Sequence, residues 1–159
     1  MEPALVRIPP FAVAGLKVRT TNQLEQDPAR ARIPGLWQQF MEEQLAHTIE
    51  NALPNSPLYG VYGDYENGKE GEFDVFAGVQ VAVPPNNAGW LQVPSGWFLR
   101  FDGQADTPEA CVKVVIGLWQ AAWAYFDAPA PAYKRNFNLD FERYLNDGRI
   151  ELHVGVTAL

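Results

Sequence analysis

The sequence has little of what disulfide-bonded, metal-binding and nucleic-acid-binding proteins require. Its 159 residues include one cysteine, Cys111, and two histidines, His47 and His153. One cysteine cannot form an intramolecular disulfide or a multi-cysteine zinc site, so we expect no metal and no cofactor. Twelve Lys and Arg against 19 Asp and Glu give a net charge of −7. No basic cluster exceeds the pair Lys134 and Arg135, which argues against nucleic acid as a direct partner.

Long apolar runs are also missing. The longest strongly apolar stretch without a charge covers residues 114–126, well short of the ~20 residues that cross a bilayer. The N-terminal segment carries Glu2, Pro9 and Pro10 where a signal peptide needs an unbroken apolar run. We therefore expect no membrane association and a cytoplasmic location.

Aromatic residues are abundant, with 5 Trp, 6 Tyr and 9 Phe in a chain of single-domain length. A chain of this size buries roughly 70% of the surface that its unfolded form exposes. The sequence thus supports a full hydrophobic core and leaves aromatic side chains for another use.

The hydrophobic pattern predicts strands and two helices in a repeating order. Residues 4–20 are typical of an edge or bulged strand because they contain Pro9 and Pro10. A helical spacing covers 34–52, and strand-like runs at 58–66 and 72–81 follow. The order then recurs as a strand at 89–104, a helix at 107–126 and a hairpin over 136–156 with the turn Asn146-Asp147-Gly148.

Short matches between the halves predict an internal duplication. Leu-Trp-Gln occurs at 36–38 and 118–120, Tyr65 matches Tyr144, and Gly-Val occurs at 78–79 and 155–156. We interpret residues 1–159 as a single domain with pseudo-repeats at about 4–83 and 88–157. The expected fold is α+β: duplicated β-α-β-β units form an antiparallel sheet with both helices on one face. A groove is expected at the seam between the halves and on the other face of the sheet.

The alternation of side chains along the first strand of the hairpin at 136–156 predicts an acidic site within this groove. Asp140, Glu142 and Tyr144 share one face of their strand. Alignment of Tyr65 with Tyr144 predicts that Tyr59 points to the same side. A carboxylate removed from water is costly unless paired, and aromatic faces attract cations. The pattern therefore favours a binding site for a lipophilic cation.

Further candidates come from the remaining aromatic residues and from one histidine. Trp37 and Trp119 occupy matching helix positions, where core packing is the more frequent role, and they could close the inner end of the groove. Trp90 follows an Asn- and Gly-containing loop, and Phe76 fits the groove side of its strand. The candidate ligand-binding residues are Glu142, Tyr144, Tyr59, Trp90, Phe76, Trp37, Trp119 and His153. For His153, groove lining is favoured over a general-base role.

The segment FERYLNDG, residues 141–148, followed by IELHVGV, residues 150–156, resembles the GyrI-like small-molecule-binding domain. This family includes the effector-binding domains of AraC-type and MerR-type multidrug-sensing regulators and standalone members. The resemblance implies that Glu142 lies at the base of the pocket and pairs with cationic drugs, with Tyr144 as a second pocket-lining residue. No helix-turn-helix pattern is recognisable, so a regulatory role would need a partner chain, whose identity the sequence does not give.

These observations lead to one expected function and two alternatives. We expect a standalone binding domain for hydrophobic, cationic or heteroaromatic small molecules. The first alternative is a hydrolase that detoxifies cyclopropane-type genotoxins with Glu142 as its catalytic residue, although an enzyme is not the favoured interpretation. The second is a protein-interaction module similar to a gyrase inhibitor, for which a charge of −7 without an acidic block is weak support.

Overall fold

Strands account for more of the chain than helices do, and residues 2–157 are described by a computed structural model. Within these residues, eight strands form one antiparallel sheet in the order β1-β6-β8-β7-β3-β4-β2-β5. The predicted antiparallel α+β fold is confirmed. The strands are β1 (Ala4–Ile8), β2 (Phe11–Thr20), β3 (Leu58–Gly63), β4 (Phe73–Val81), β5 (Gly89–Val93), β6 (Gly96–Gln104), β7 (Arg135–Tyr144) and β8 (Arg149–Val156).

The strand order is symmetric about the central pair β3 and β7. The edge strand β1 pairs with β6, whereas β5, the edge strand of the second half, pairs with β2. The segment 4–20, which the sequence predicts as one strand, therefore forms two strands that lie toward opposite edges of the sheet. Pro9 and Pro10 separate them, because proline has no N–H to continue a ladder. The symmetry supports the proposed duplication at about 4–83 and 88–157.

The helices are α1 (Asn22–Glu25), α2 (Ile33–Glu42), α3 (Leu45–Thr48) and α4 (Cys111–Asp127). The single helix predicted over 34–52 is divided, since Gln44 adopts a left-handed conformation with φ 53° between α2 and α3. The second predicted helix starts with a 3₁₀ turn at Pro108–Ala110 and continues as α4. Within the described residues, no helix is long and apolar enough to cross a membrane.

Both α2 and α4 pack on the same face of the sheet. Leu36 and Phe40 of α2 belong to a core cluster with strands β2, β3 and β4. Leu118 and Ala122 of α4 belong to a second cluster with β6 and β8. The seam between these two clusters lies over the central strands β3 and β7, which meet side by side. Side chains that leave these strands on the helix face therefore point into the seam.

The opposite face of the sheet is a third core rather than a groove. Its buried members include Val13, Val61, Phe98 and Phe141, and both edge strands, β1 and β5, contribute side chains to it. The expectation that this face forms part of an open groove is wrong. Because strands from both edges bury apolar side chains in one cluster, only the seam on the helix face remains as a candidate site.

Candidate functional site

The carboxylate of Glu142 lies at the centre of the sheet, beneath the seam between α2 and α4. Glu142 pairs with Gly60 across the β7–β3 ladder, and the whole residue is 1% exposed. The missing side chain of Gly60 provides the space for the carboxylate: a Cβ at this position would lie 2.7 Å from Oε1 of Glu142. Glu142 is therefore almost completely enclosed on the helix face of the sheet.

Three neutral donors hold the Glu142 carboxylate. The hydroxyl of Tyr62 and the indole Nε1–H of Trp119 donate to Oε2 at 2.8 and 2.7 Å. The hydroxyl of Tyr144 donates to Oε1 at 2.6 Å. Among residues 2–157, no Lys, Arg or His side chain forms an ion pair with Glu142. The carboxylate is thus well hydrogen-bonded, and its charge is not neutralised by a neighbouring side chain.

Aromatic rings form the walls around this carboxylate. Trp119 meets Tyr62 edge to face with 5.1 Å between ring centroids, and Trp37 meets Tyr144 in the same way at 5.5 Å. Trp123 lies beside Trp119 at 6.0 Å on the solvent side. Trp37, Trp119 and Tyr144 are partly exposed, so the site meets solvent through these rings.

The proton affinities in the site follow from burial. Loss of water raises the pKa of Glu142 above its usual value, and the hydrogen bonds from Tyr144, Trp119 and Tyr62 only partly oppose this effect. Burial, reinforced by the adjacent carboxylate, raises the pKa of Tyr62 and of Tyr144 well above 10. Both phenols therefore keep their protons and act as donors, and the carboxylate is the group in the site that can change charge.

A second buried carboxylate, Asp140, lies two residues before Glu142 on the same strand face. Nη2 of Arg135 donates to its Oδ2 at 2.6 Å, and Tyr65 donates to the same oxygen. The backbone N–H of Gly155 donates to Oδ1 at 2.9 Å. Unlike Glu142, Asp140 therefore has a permanent cationic partner inside the protein.

Three of the predicted site residues lie on the other face of the sheet. Tyr59, Phe76 and His153 belong to or border the third core around Phe141, and none faces Glu142. The prediction that they line one groove with Glu142 is wrong. For Tyr59 the cause is Asp64, whose left-handed φ of 51° interrupts the alternation after β3. This extra turn places Tyr65 on the side of Asp140 while Tyr59 points away, because a shift of one residue reverses the face of a strand. His153 lies on the far face because it pairs with Phe141. Phe76 lies there because it pairs with Val61.

Trp90 is also distant from Glu142. It lies on the edge strand β5, four strands from β7, and is 46% exposed. At about 4.8 Å between neighbouring strands, this separation is roughly 19 Å. Trp90 therefore cannot contact a ligand that is held by Glu142 unless the ligand spans the sheet.

His153 is buried without hydrogen bonds from its ring. It stacks on Phe141 with 4.3 Å between ring centroids, and within residues 2–157 neither Nδ1 nor Nε2 has a hydrogen-bond partner. Burial is the main cause that lowers the pKa of His153 to about 3, and the positive charges of Arg143 and Arg100 act in the same direction. The ring is neutral at physiological pH and serves as packing in the third core.

Sequence reasoning missed Gly60, Tyr62 and Arg135. The tyrosine and the glycine are set by the β3–β7 register, which no local signal in either strand specifies. Arg135 reaches the site because β7 bulges between Arg135 and Asp140. The sequence offers one signal for this ion pair: Arg135 lies five residues before Asp140 in a segment that is rich in aromatic residues.

The site as described is closed and holds no metal-binding cluster. Two surface cavities of about 400 and 300 Å³ lie at the α2–α3 junction and beside β2 and β4, and Glu142 lines neither. Among the described residues, no group of three His, Cys, Asp or Glu side chains could hold a metal ion. The chemistry available at the seam is that of one buried carboxylate, its phenol and indole donors, and aromatic surface.

Comparison with known proteins points to effector binding. Residues 4–156 match the family described as integron-associated effector binding proteins, Cass2. An integron cassette protein from the mobile metagenome of Vibrio cholerae is 30% identical, with a TM-score of 0.80 over 98% of this chain and 96% of that one. These matches confirm the predicted GyrI-like effector-binding domain.

Two further relatives extend the comparison. The Bacillus subtilis (strain 168) protein YobU, whose name describes it as a candidate transcriptional regulator, is 25% identical over 134 residues, 82% of this chain and 79% of its own length. A protein solved in complex with tetraphenylphosphonium has a TM-score of 0.74 over 99% of this chain and 95% of that one. At 15% identity, this second likeness shows a shared fold.

Proposed function

The chain belongs to the family of integron-associated effector binding proteins, and from this premise we propose that it binds lipophilic organic cations with aromatic rings. The binding site is the seam between α2 and α4, and Glu142 supplies the negative charge. Tyr62, Tyr144, Trp37 and Trp119 supply the apolar and aromatic contacts.

The observation that carries this proposal is the unneutralised carboxylate of Glu142. Taking a carboxylate out of water costs several kcal/mol, and neutral hydrogen bonds recover only part of that cost. Within residues 2–157, Glu142 is bonded to two phenols and one indole and to no cationic side chain. A cationic ligand would supply the missing countercharge in a place where the low dielectric strengthens the attraction.

The aromatic walls favour a cation whose charge is spread over a large apolar body. The face of a Trp or Tyr ring attracts a cation by roughly 0.5–2 kcal/mol, and four such rings surround Glu142. A small, strongly hydrated cation would lose its water without gaining comparable apolar contact. The relative solved with tetraphenylphosphonium, a lipophilic aromatic cation, is consistent with this ligand class.

Entry of a ligand requires movement of side chains at the seam. Glu142 is covered on the solvent side by Trp37 and Tyr144, whose rings touch edge to face. Both are only partly buried, and α2 ends at Glu42, two residues before the left-handed Gln44. We propose that the entrance lies at the Trp37–Tyr144 contact, because both rings border solvent and lie close to the carboxylate.

A regulatory output is a separate part of the proposal. Similarity to YobU supports a role in transcriptional control. The hydrolase and gyrase-inhibitor alternatives stay predictions, and none of the contacts described above favours either of them.

Calorimetric titration with two ions of the same shape and opposite charge tests the ligand class. Tetraphenylphosphonium should bind and tetraphenylborate should not, since only the cation is attracted by Glu142. The Glu142→Gln variant keeps the shape and removes the charge, and we expect it to weaken phosphonium binding by about tenfold or more. Equal binding of both ions, or equal phosphonium binding by parent and variant, would sink the proposal.

A further inference from the structure

We propose that Arg135 limits the ligands of this site to monocations, because its guanidinium permanently occupies the place of a second cation beside Asp140. The inference rests on the proposed function, since it concerns which cations the Glu142 site accepts. It assigns a specificity-determining role to a residue that contacts neither Glu142 nor any predicted ligand-binding group except Trp119.

The two buried carboxylates form a pair of neighbouring acidic positions. Asp140 and Glu142 leave β7 on the same face, about 7 Å apart along the strand. Both are almost completely buried, at 0% and 1% exposure. They differ in their partners: Glu142 has only neutral donors, whereas Asp140 holds the guanidinium of Arg135.

Arg135 is held by rings that belong to the same aromatic system as the ligand site. Its guanidinium carbon lies 4.2 Å from the ring centroid of Phe137, 5.4 Å from that of Tyr65 and 5.7 Å from that of Trp119. Trp119 in turn donates its indole N–H to Glu142. One indole thus contacts the internal cation with its ring and the ligand-binding carboxylate with its nitrogen.

The backbone around Arg135 is shaped to keep the guanidinium in this place. Arg135 pairs with Val156 and Asp140 pairs with Val154, so the intervening residues of β7 form a bulge. Within the bulge, Phe137 adopts a left-handed φ of 56°, an unfavourable conformation for an aromatic residue. This strained turn places the Phe137 ring against the guanidinium, and strain of this kind is typical of functional sites.

A second positive charge on a ligand would meet this guanidinium. A cation that pairs with Glu142 and extends along the Trp119 wall approaches Arg135 within about 10 Å. It cannot reach Asp140, because the oxygens of Asp140 already accept hydrogen bonds from Arg135, Tyr65 and the Gly155 N–H. Because Arg135 already neutralises Asp140, the second charge of a dication finds no free carboxylate at the seam, and leaving that charge unpaired there weakens binding by about tenfold relative to a monocation.

Two aromatic cations of nearly identical shape test the inference. 1-Methyl-4-phenylpyridinium carries one charge on a two-ring skeleton, and methyl viologen carries two charges on the equivalent skeleton. The measured quantity is the ratio of their dissociation constants, which cancels changes in shape or overall stability. The parent protein should prefer the monocation. Arg135→Gln should reduce this preference by about tenfold or more, and Arg135→Lys should preserve it.

A second variant keeps the test decisive if Arg135→Gln folds poorly with Asp140 unpaired. Asp140→Asn leaves the guanidinium without its carboxylate, so the net charge beside the ligand becomes positive and the preference for the monocation should increase by about tenfold or more. An unchanged ratio in folded Arg135→Gln or in folded Asp140→Asn overturns the role of Arg135. If the parent binds neither cation, or if Glu142→Gln leaves monocation binding unchanged, the proposed function itself fails, which is a different result from an unchanged ratio.

Discussion

Gly60 and Glu142 face each other across the central β3–β7 ladder, and the glycine leaves the space that the carboxylate fills. An ideal Cβ on Gly60 would lie 2.7 Å from Oε1 of Glu142 and 3.4 Å from Cζ2 of Trp37. A carboxylate held by three hydrogen bonds cannot move aside without losing one of them. The residue opposite the acid is therefore part of the site although it offers no functional group.

Replacement of Gly60 by Ala should weaken both ligand binding and stability. The added methyl group displaces the carboxylate from its hydrogen-bond donors. We therefore expect the affinity for tetraphenylphosphonium to fall about tenfold or more and the free energy of unfolding to fall by about 1–3 kcal/mol. Calorimetry and urea denaturation measure the two effects. As a matched control, Gly117→Ala on the exposed side of α4, where nothing lies within 4 Å of the new Cβ, should stabilise by about 0.5–1 kcal/mol and leave affinity unchanged. A Gly60→Ala variant with parental affinity contradicts the packing described here.

Removal of the Glu142 charge should make the ligand-free protein at least as stable as the parent at neutral pH. The pKa of Glu142 is raised in the folded state, so its contribution to the free energy of unfolding falls as pH rises from the unfolded value of 4.5 through the raised folded value. Glu142→Gln removes this loss. We expect the free energy of unfolding of the variant to exceed that of the parent by up to about 2 kcal/mol at pH 7, and this difference should become smaller below pH 4.5. Urea unfolding at both pH values measures it. If the variant is less stable than the parent at pH 7 and equally stable at pH 4, the predicted direction of the change is wrong.

The same ionisation should control ligand affinity. The cation binds the carboxylate form, so its affinity should increase as pH rises through the raised pKa of Glu142 and then become constant. Calorimetric titrations of tetraphenylphosphonium between pH 4 and pH 8 test this directly. Affinity that is flat with pH in the parent, or that rises with pH equally in Glu142→Gln, would assign the dependence to another group.

The indole N–H of Trp119 should be worth more than its ring surface alone. Trp119→Phe keeps an aromatic ring and removes the donor to Oε2 of Glu142, which leaves a buried carboxylate with two hydrogen bonds. We expect a loss of about 1–3 kcal/mol in the free energy of unfolding at pH 7. Trp123→Phe, at a neighbouring and 39% exposed position, should cost less than about 1 kcal/mol. Equal losses in the two variants would mean that the hydrogen bond contributes little.

His153 should make the protein sensitive to mild acid. Its pKa falls from 6.5 in the unfolded chain to about 3 in the folded protein, so the unfolded state binds more protons between these values. The contribution of His153 to the free energy of unfolding is therefore fully present above about pH 6.5. It is lost as pH falls toward 3, by up to about 1.4 kcal/mol per pH unit.

His153→Phe, which keeps a ring stacked on Phe141, should reduce this slope. His47→Gln, at an exposed position, should leave the slope as it is in the parent. Thermal or urea unfolding at several pH values provides the comparison. If His153→Phe and the parent lose stability in parallel between pH 6.5 and 3, the acid sensitivity comes from other groups.

Particular elements show why the sequence and the structure agree on the acid and disagree on its surroundings. The alternation around Glu142 is local, and apolar Phe141 on one side fixes the face on which Glu142 lies. The residues across the ladder depend on register, which places Gly60 opposite Glu142, and the left-handed turn at Asp64 puts Tyr65 on the opposite face from Tyr59. Tyr62 and Gly60 consequently replace Tyr59 as neighbours of the acid.

The amino-acid sequence by itself determined the α+β class, the succession of strands and helices in two similar halves, and the common strand face of Asp140, Glu142 and Tyr144. These follow from periodicity and turn chemistry, which act over a few residues. Only the tertiary structure decided that the far face of the sheet is a closed core, that His153 is buried there, and that Arg135 pairs with Asp140 beside the site. Those features depend on contacts between residues far apart in the chain, where strand register and backbone bulges set which side chains meet.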